Sequence, residues 1–157
     1  MRRINITAVC SVFCLLTTSI SGVGCRVNAT YNNQESDKMD AERVIGEFYS
    51  LTKNKDYTGT YKLFSEQFFK ASDTSKLYNI LVATQEKIGP VETLKLGQWE
   101  TQSIKGTDER NDYILQYVVK RQYFESNETF TLTKENGAIK IVRYNINSDG
   151  FFQPERK

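Results

Sequence analysis

Residues Asn111 to Phe124, NDYILQYVVKRQYF, hold neither Gly nor Pro and are dense in Tyr, Val, Ile, Leu and Phe. Those types suit a pleated, half-buried surface. The run is long for a strand, since strands are usually about 5–6 residues, and a long strand needs long neighbours. Tyr113, Leu115, Tyr117, Val119, Arg121 and Tyr123 share one face of it; Ile114, Val118 and Phe124 share the other. Arg121 is hard to bury in such a row, and three placements are open to it: the open end of the fold, a pairing with a carboxylate, or projection past a strand edge. Both rows carry apolar bulk, so cover is expected on both sides, the far one from sheet curvature, from the end of the chain with Phe151 and Phe152, or from a second molecule.

The neighbours follow from the same period of two. Val91 to Ile104 reads as the preceding strand, and Leu94 and Leu96 share a face. Trp99 joins them only if Gly97 makes a bulge, which would also bend the strand. Glu128 to Lys134 alternates, Phe130 and Leu132 against Thr129, Thr131 and Thr133. Asn136-Gly137 is a hairpin signal. Ala138 to Ile146 is the last strand, with Ile139 and Ile141 on one face and Val142, Tyr144 and Ile146 on the other.

Upstream the period is helical. In Met39 to Lys53, Ile45, Phe48 and Thr52 form a stripe flanked by Ala41, Val44 and Leu51. A short helix is expected over Tyr57 to Phe64, and Ser65 has the chemistry to cap a further turn. Thr74 to Ile88 keeps Leu77, Ile80, Leu81, Thr84 and Ile88 on one face, and Gly89-Pro90 ends it. Helices followed by consecutive antiparallel strands predict an α+β domain over 39–148, with N-terminal helices packed on a curved four-stranded antiparallel sheet. Residues 149–157 read as a C-terminal tail.

The first 24 residues read as a signal peptide: basic Arg2-Arg3, an apolar run from Ile4 to Ile20, then small residues. Its loss removes two basic residues and no acidic ones, leaving 19 of each sign. A chain so balanced lacks the electrostatic footprint for nucleic acid. Cys10 and Cys14 would go with the leader, making Cys25 the sole remaining thiol, with no internal disulfide and no multi-Cys metal site. Gly22-Val23-Gly24-Cys25 resembles the end of a bacterial lipoprotein signal, with Gly22 where that family carries an aliphatic residue. The resemblance implies lipid attachment at Cys25, a membrane-anchored chain in the cell envelope, and a flexible polar tether over 25–38. The alternative is ordinary cleavage after Ala29 and a secreted or periplasmic protein.

Phe48-Tyr49, Lys55-Asp56-Tyr57, Leu63-Phe64-Ser65 with Phe68, Ile88-Gly89-Pro90, and Asn136-Gly137 with Ile139-Lys140-Ile141 occur in an order that resembles the nuclear-transport-factor-2-like (cystatin-like) superfamily, over about Met39 to Ile146. The resemblance implies a cone of helices and curved sheet. Enzymes of that superfamily place an Asp or Tyr inside the cone, and its members often pair sheet to sheet.

The chain has no His, which removes the usual catalytic triads and zinc sites, and it has no Gly-rich phosphate loop. No cofactor or metal is expected. Asp56, Asp73 and Asp112 are the candidate carboxylates for an isomerase-like alternative, although each sits where Asp favours turns. Trp99, Tyr113 and Tyr117 either fill the core, with polar tips reaching solvent at its rim, or are the candidate lining of a pocket for an apolar or planar ligand. The expected function is a non-catalytic envelope lipoprotein that binds a protein partner or a small apolar ligand, with a self-associating secreted module as a further alternative.

Overall fold

A computed structural model describes residues 28–107 and 109–154. The signal peptide, Cys25 and the end of the tail lie outside the described residues. The architecture is α+β. Helices α1 (Glu35–Lys53), α2 (Glu66–Ala71) and α3 (Thr74–Ile88) pack on one antiparallel sheet, with a 3-10 turn at Thr58–Leu63. The sheet is a meander in sequence order: β1 (Ala29–Asn32), β2 (Val91–Lys105), β3 (Arg110–Arg121), β4 (Glu125–Glu135) and β5 (Ala138–Asn147). It has five strands rather than the expected four, and it is open rather than closed into a barrel.

The extra strand comes from the stretch expected to be tether. Ala29–Asn32 pairs antiparallel with Gln102–Lys105 of β2, and α1 begins at Glu35. Such polar residues bury little, and all four of β1 are exposed. Backbone pairing and a few side-chain amide contacts hold this strand, Gln102 Nε2 donating to Asn32 Oδ1 at 3.4 Å among them, and such bonds leave no hydrophobic pattern to read.

Irregularities in register shape the rest. The break between Leu96 and Gln98 is the bulge expected at Gly97, and it puts Trp99 opposite Leu115 on the face shared by Leu94 and Leu96. A further break lies between Val91 and Thr93. Another lies opposite Thr131/Leu132, where Val142 is the extra residue on β5. That bulge places Ile139, Ile141, Tyr144 and Ile146 on one face, not the two expected from strict alternation. The inner face of β3 and β4 carries Tyr113, Leu115, Tyr117, Val119, Phe130 and Leu132, all buried beneath Ala41, Ile45, Phe48 and Tyr49 of α1. Phe48 meets the rings of Tyr49, Phe64, Phe130 and Tyr144 at 5.1–6.2 Å. On α3, Leu77, Leu81, Thr84 and Ile88 are buried, whereas Ile80, expected on that face, is exposed.

The far face needs little cover. Next to Ile114 and Val118 it carries Gln98, Gln116, Thr129, Thr131 and Thr133, so solvent meets a mostly polar surface. β3 ends at Arg121, so Phe124 is not part of its outer row and Tyr123 leaves its inner row. The β3–β4 turn instead caps α3: the N–H groups of Tyr123 and Phe124 donate to the Ile88 carbonyl at 3.1 and 3.4 Å. Gly89 has φ +88°, and a side chain there would lie 2.9 Å from Gln122 and Tyr123.

Part of the expected tail is structured. Asp149–Phe152 forms a 3-10 turn, with the Ser148 hydroxyl donating to the Glu125 carbonyl at 2.6 Å. A methyl group on Gly150 would sit 2.5 Å from Ile88 and 2.5 Å from the Phe124 ring. Gly150→Ala is therefore expected to lower stability by about 1–3 kcal/mol, measured by urea unfolding. A loss within error would mean this turn does not pack in solution.

Candidate functional site

The three aromatic candidates lie on the same face of the sheet, the one covered by α1. Thr101 pairs with Tyr113, Leu96 with Tyr117 and Trp99 with Leu115. Tyr113 and Tyr117 are buried in the main core cluster, and Tyr117 packs edge-to-face with Tyr49 and Phe130 at 6.4 and 6.2 Å. Trp99 is half-buried, with the Lys38 ammonium 5.4 Å from its ring centroid. The aromatics thus act chiefly as packing, and Trp99 keeps one reachable side.

The candidate carboxylates lie elsewhere. Asp56 accepts from the Gly59 N–H at 2.9 Å and Asp73 from the Lys76 N–H at 2.7 Å, both as exposed turn and cap residues. Asp112 pairs with Arg110 at 2.7 Å near the start of β3. The structure does not bring these three together.

The buried carboxylate is Glu128 on β4, which sequence reasoning passed over. It is 1% exposed and sits at the centre of a network. Its Oε1 accepts from Arg121 Nη2 at 2.7 Å, Arg121 Nε at 3.0 Å and the Ser126 hydroxyl at 2.8 Å. Its Oε2 accepts from the Tyr49 and Tyr144 hydroxyls at 2.8 and 2.7 Å. Arg121 Nη1 donates to the Gly89 carbonyl at 3.1 Å, tying the network to the end of α3. Signals for the network were present. Alternation puts Glu128 on the face of Phe130 and Leu132, and a hairpin through Glu125-Ser126-Asn127 folds it back beside Arg121, the charge that was hard to bury. Only the tertiary fold adds Tyr49 and Tyr144.

Burial pushes the phenols of Tyr49 and Tyr144 well above the ordinary range, and the Glu128 carboxylate adds to both shifts. Burial likewise raises Tyr117. The Tyr49 and Tyr144 hydroxyls stay protonated and donate to Glu128. With both carboxylate oxygens occupied by fixed donors, Glu128 is arranged to hold elements together. A general base needs a free lone pair directed at a substrate.

A separate open cleft of about 430 Å³ lies at the other end of the concave face, between the start of α1 and the β4–β5 hairpin. Asp37, Asp40, Arg43, Lys105, Lys134 and Tyr113 are among its lining residues. Arg43 pairs with Asp40, and Lys105 with Glu109 at 3.1 Å. This wall is polar and of mixed charge, unlike the apolar pocket that was one of the two readings of the aromatics. Among the described residues no cluster of three or more metal-ligating side chains occurs, and no helix is long and apolar enough to cross a membrane.

No known family model matches this chain, and no curated protein is significantly similar to it.

Proposed function

We propose that this chain is a cell-envelope lipoprotein whose nuclear-transport-factor-2-like domain, held at a membrane through acyl chains on Cys25, acts without catalysis by docking a protein partner. The observation that carries the docking role is the state of the concave face. Its buried carboxylate is fully engaged by Arg121, Ser126, Tyr49 and Tyr144. Two of its three candidate ligand-binding aromatics are core residues. A small apolar ligand or a carboxylate-driven isomerisation would need one of these groups free. The anchoring rests on Gly24-Cys25 after an apolar leader, and acyl chains would hold the domain by about 0.8 kcal/mol per buried methylene.

Two measurements test the reading. Metabolic labelling with a palmitate analogue should mark the wild type and spare Cys25→Ala; equal labelling would remove the lipoprotein assignment. Photo-reactive residues placed over the domain surface of the full-length protein in cells should give a discrete adduct with another protein. Adducts with copies of itself alone, or none from any face, would remove the docking role.

A further inference from the structure

β2 is paired with β3 along nearly its whole length, but among the described residues its other edge is covered only at one end. β1 pairs with Gln102–Lys105 and then leaves the edge at Asn33, whose φ is +51°. Asn33 makes the last contacts: its N–H donates to the Thr101 carbonyl at 2.8 Å, and its Oδ1 accepts from the Thr101 N–H at 3.0 Å. Beyond that point no described residue pairs with the outer edge of Val91–Glu100. The opposite edge of the sheet is treated differently, since Phe64 bridges to Ile141 of β5 and the Ser65 N–H donates to its carbonyl at 3.0 Å. The open half of β2 carries Leu94, which is 40% exposed, with half-buried Leu96 and Trp99 on the same face. An unpaired edge with an apolar row is a template for a further strand.

Resting on the docking role above, we propose that the edge Val91–Glu100 is where the partner docks, by adding an extended segment as a strand that continues the line of β1. Charge sets the kind of segment. Glu92 is engaged by Lys120 at 3.1 Å. Lys95 and Glu100 are exposed on the outer face and form no ion pair among the described residues. A strand running antiparallel to β2, as β1 does, passes Glu100 before Lys95. It therefore carries a basic residue followed by an acidic one on its outer face, and apolar residues beside Trp99, Leu96 and Leu94. A second copy of β2 meets this pattern in the antiparallel register that sets Lys95 against Glu100 and Leu96 against Trp99, but there its own Asn33 and β1, which occupy the outer edge from Thr101 to Lys105, stand where the strand must continue past Leu94. A separate segment without that obstruction can run the full length of the open edge.

The probe is a synthetic peptide of alternating valine and threonine, with lysine toward its N-terminal end and glutamate toward its C-terminal end, titrated onto the full-length protein in detergent. Backbone amide protection on binding should appear within 92–100. A peptide with its lysine and glutamate exchanged should bind about ten-fold more weakly. The double variant Lys95→Glu/Glu100→Lys should reverse that preference, and methylation of the peptide amides that face β2 should abolish binding. No binding, equal affinity for both peptides, or protection at the Asp37–Lys134 cleft would each overturn the edge assignment. In cells, photo-reactive residues at Thr93 and Gln98 should capture the partner through a segment of the stated pattern, and Thr129 and Thr131 on the far face should not. Capture from the far face alone sinks the edge site and leaves the docking role standing. Absence of a heterologous adduct from every face sinks both.

Discussion

Arg121→Met is expected to lower the unfolding free energy by about 3–5 kcal/mol, among the largest effects of any single substitution in this domain. The substitution keeps most of the apolar stem of the side chain and removes the guanidinium. Glu128, which is 0% exposed at its side chain, then loses its ion-pair partner. The Gly89 carbonyl also loses its donor at the end of α3. The size of the loss comes mainly from leaving a buried charge uncompensated, not from the attraction between the pair. Replacing both partners, Arg121→Met with Glu128→Met, should therefore recover part of the loss. Recovery stays incomplete because the hydroxyls of Tyr49, Tyr144 and Ser126 are left without their acceptor, at about 1–3 kcal/mol for each buried orphan. Urea unfolding of the two single variants and the double closes the cycle. A loss below about 1 kcal/mol for Arg121→Met, the range of an exposed pair, would show that water reaches the network.

Stability is expected to fall steeply once pH rises above about 10, the ordinary phenol value. Tyr49, Tyr144 and Tyr117 are all shifted upward, with burial the main cause in each. Above the ordinary value the unfolded chain releases these protons while the folded chain keeps them. The unfolded state then binds fewer protons, so stability declines as pH rises, until the folded-state values are reached. Each sealed phenol contributes a slope of about 1.4 kcal/mol per pH unit, and the three together about 4 kcal/mol per pH unit. Thermal or urea unfolding followed with the ultraviolet absorbance of phenolate distinguishes this from lysine titration. Tyr49→Phe and Tyr144→Phe should each remove one phenol's share of the slope, even though each also weakens the neutral protein by depriving Glu128 of a donor. The slope is the diagnostic, not the absolute stability. A flat profile between about pH 10 and 11 would mean these hydroxyls titrate freely and the network is open to solvent.

Most of the sheet was legible because β3 and β4 alternate without interruption. Phe130 and Leu132 against Thr129, Thr131 and Thr133 is a pattern that burial of one face imposes directly on composition. The bulge at Gly97 was legible because Trp99 fell out of phase with Leu94 and Leu96 across a glycine. The bulge at Val142 was not, since Val142 is itself apolar and makes both faces look alike. β1 was missed for the opposite reason: all four of its residues are exposed, so burial imposes no alternation on them, and its pairing comes chiefly from backbone groups that every residue carries.

The candidate site divides the same way. Arg121 was conspicuous as a charge in an apolar row, and its three alternative placements included the pairing with a carboxylate that the structure shows. Of the aromatic row, Tyr113 and Tyr117 share one face with Trp99, while Tyr123 lies beyond the end of the strand. Whether that face was an open pocket or a filled core depended on where α1 came to rest, and Ala41, Ile45, Phe48 and Tyr49 fill it.

By itself the sequence determined the order of the helices and of β2 to β5, the hairpin at Asn136-Gly137, the cap at Ser65, and the inner faces of β3 and β4. Those features follow from local dihedral preference and from the period of burial, both of which are properties of neighbouring residues. Only the tertiary structure decided the partners of Glu128, the packing of Gly150 against Ile88 and Phe124, and the half-covered edge of β2. Each of these depends on groups far apart in the chain, Tyr49 and Glu128 above all, whose meeting is set by how α1 crosses the sheet and leaves no periodic trace along the sequence.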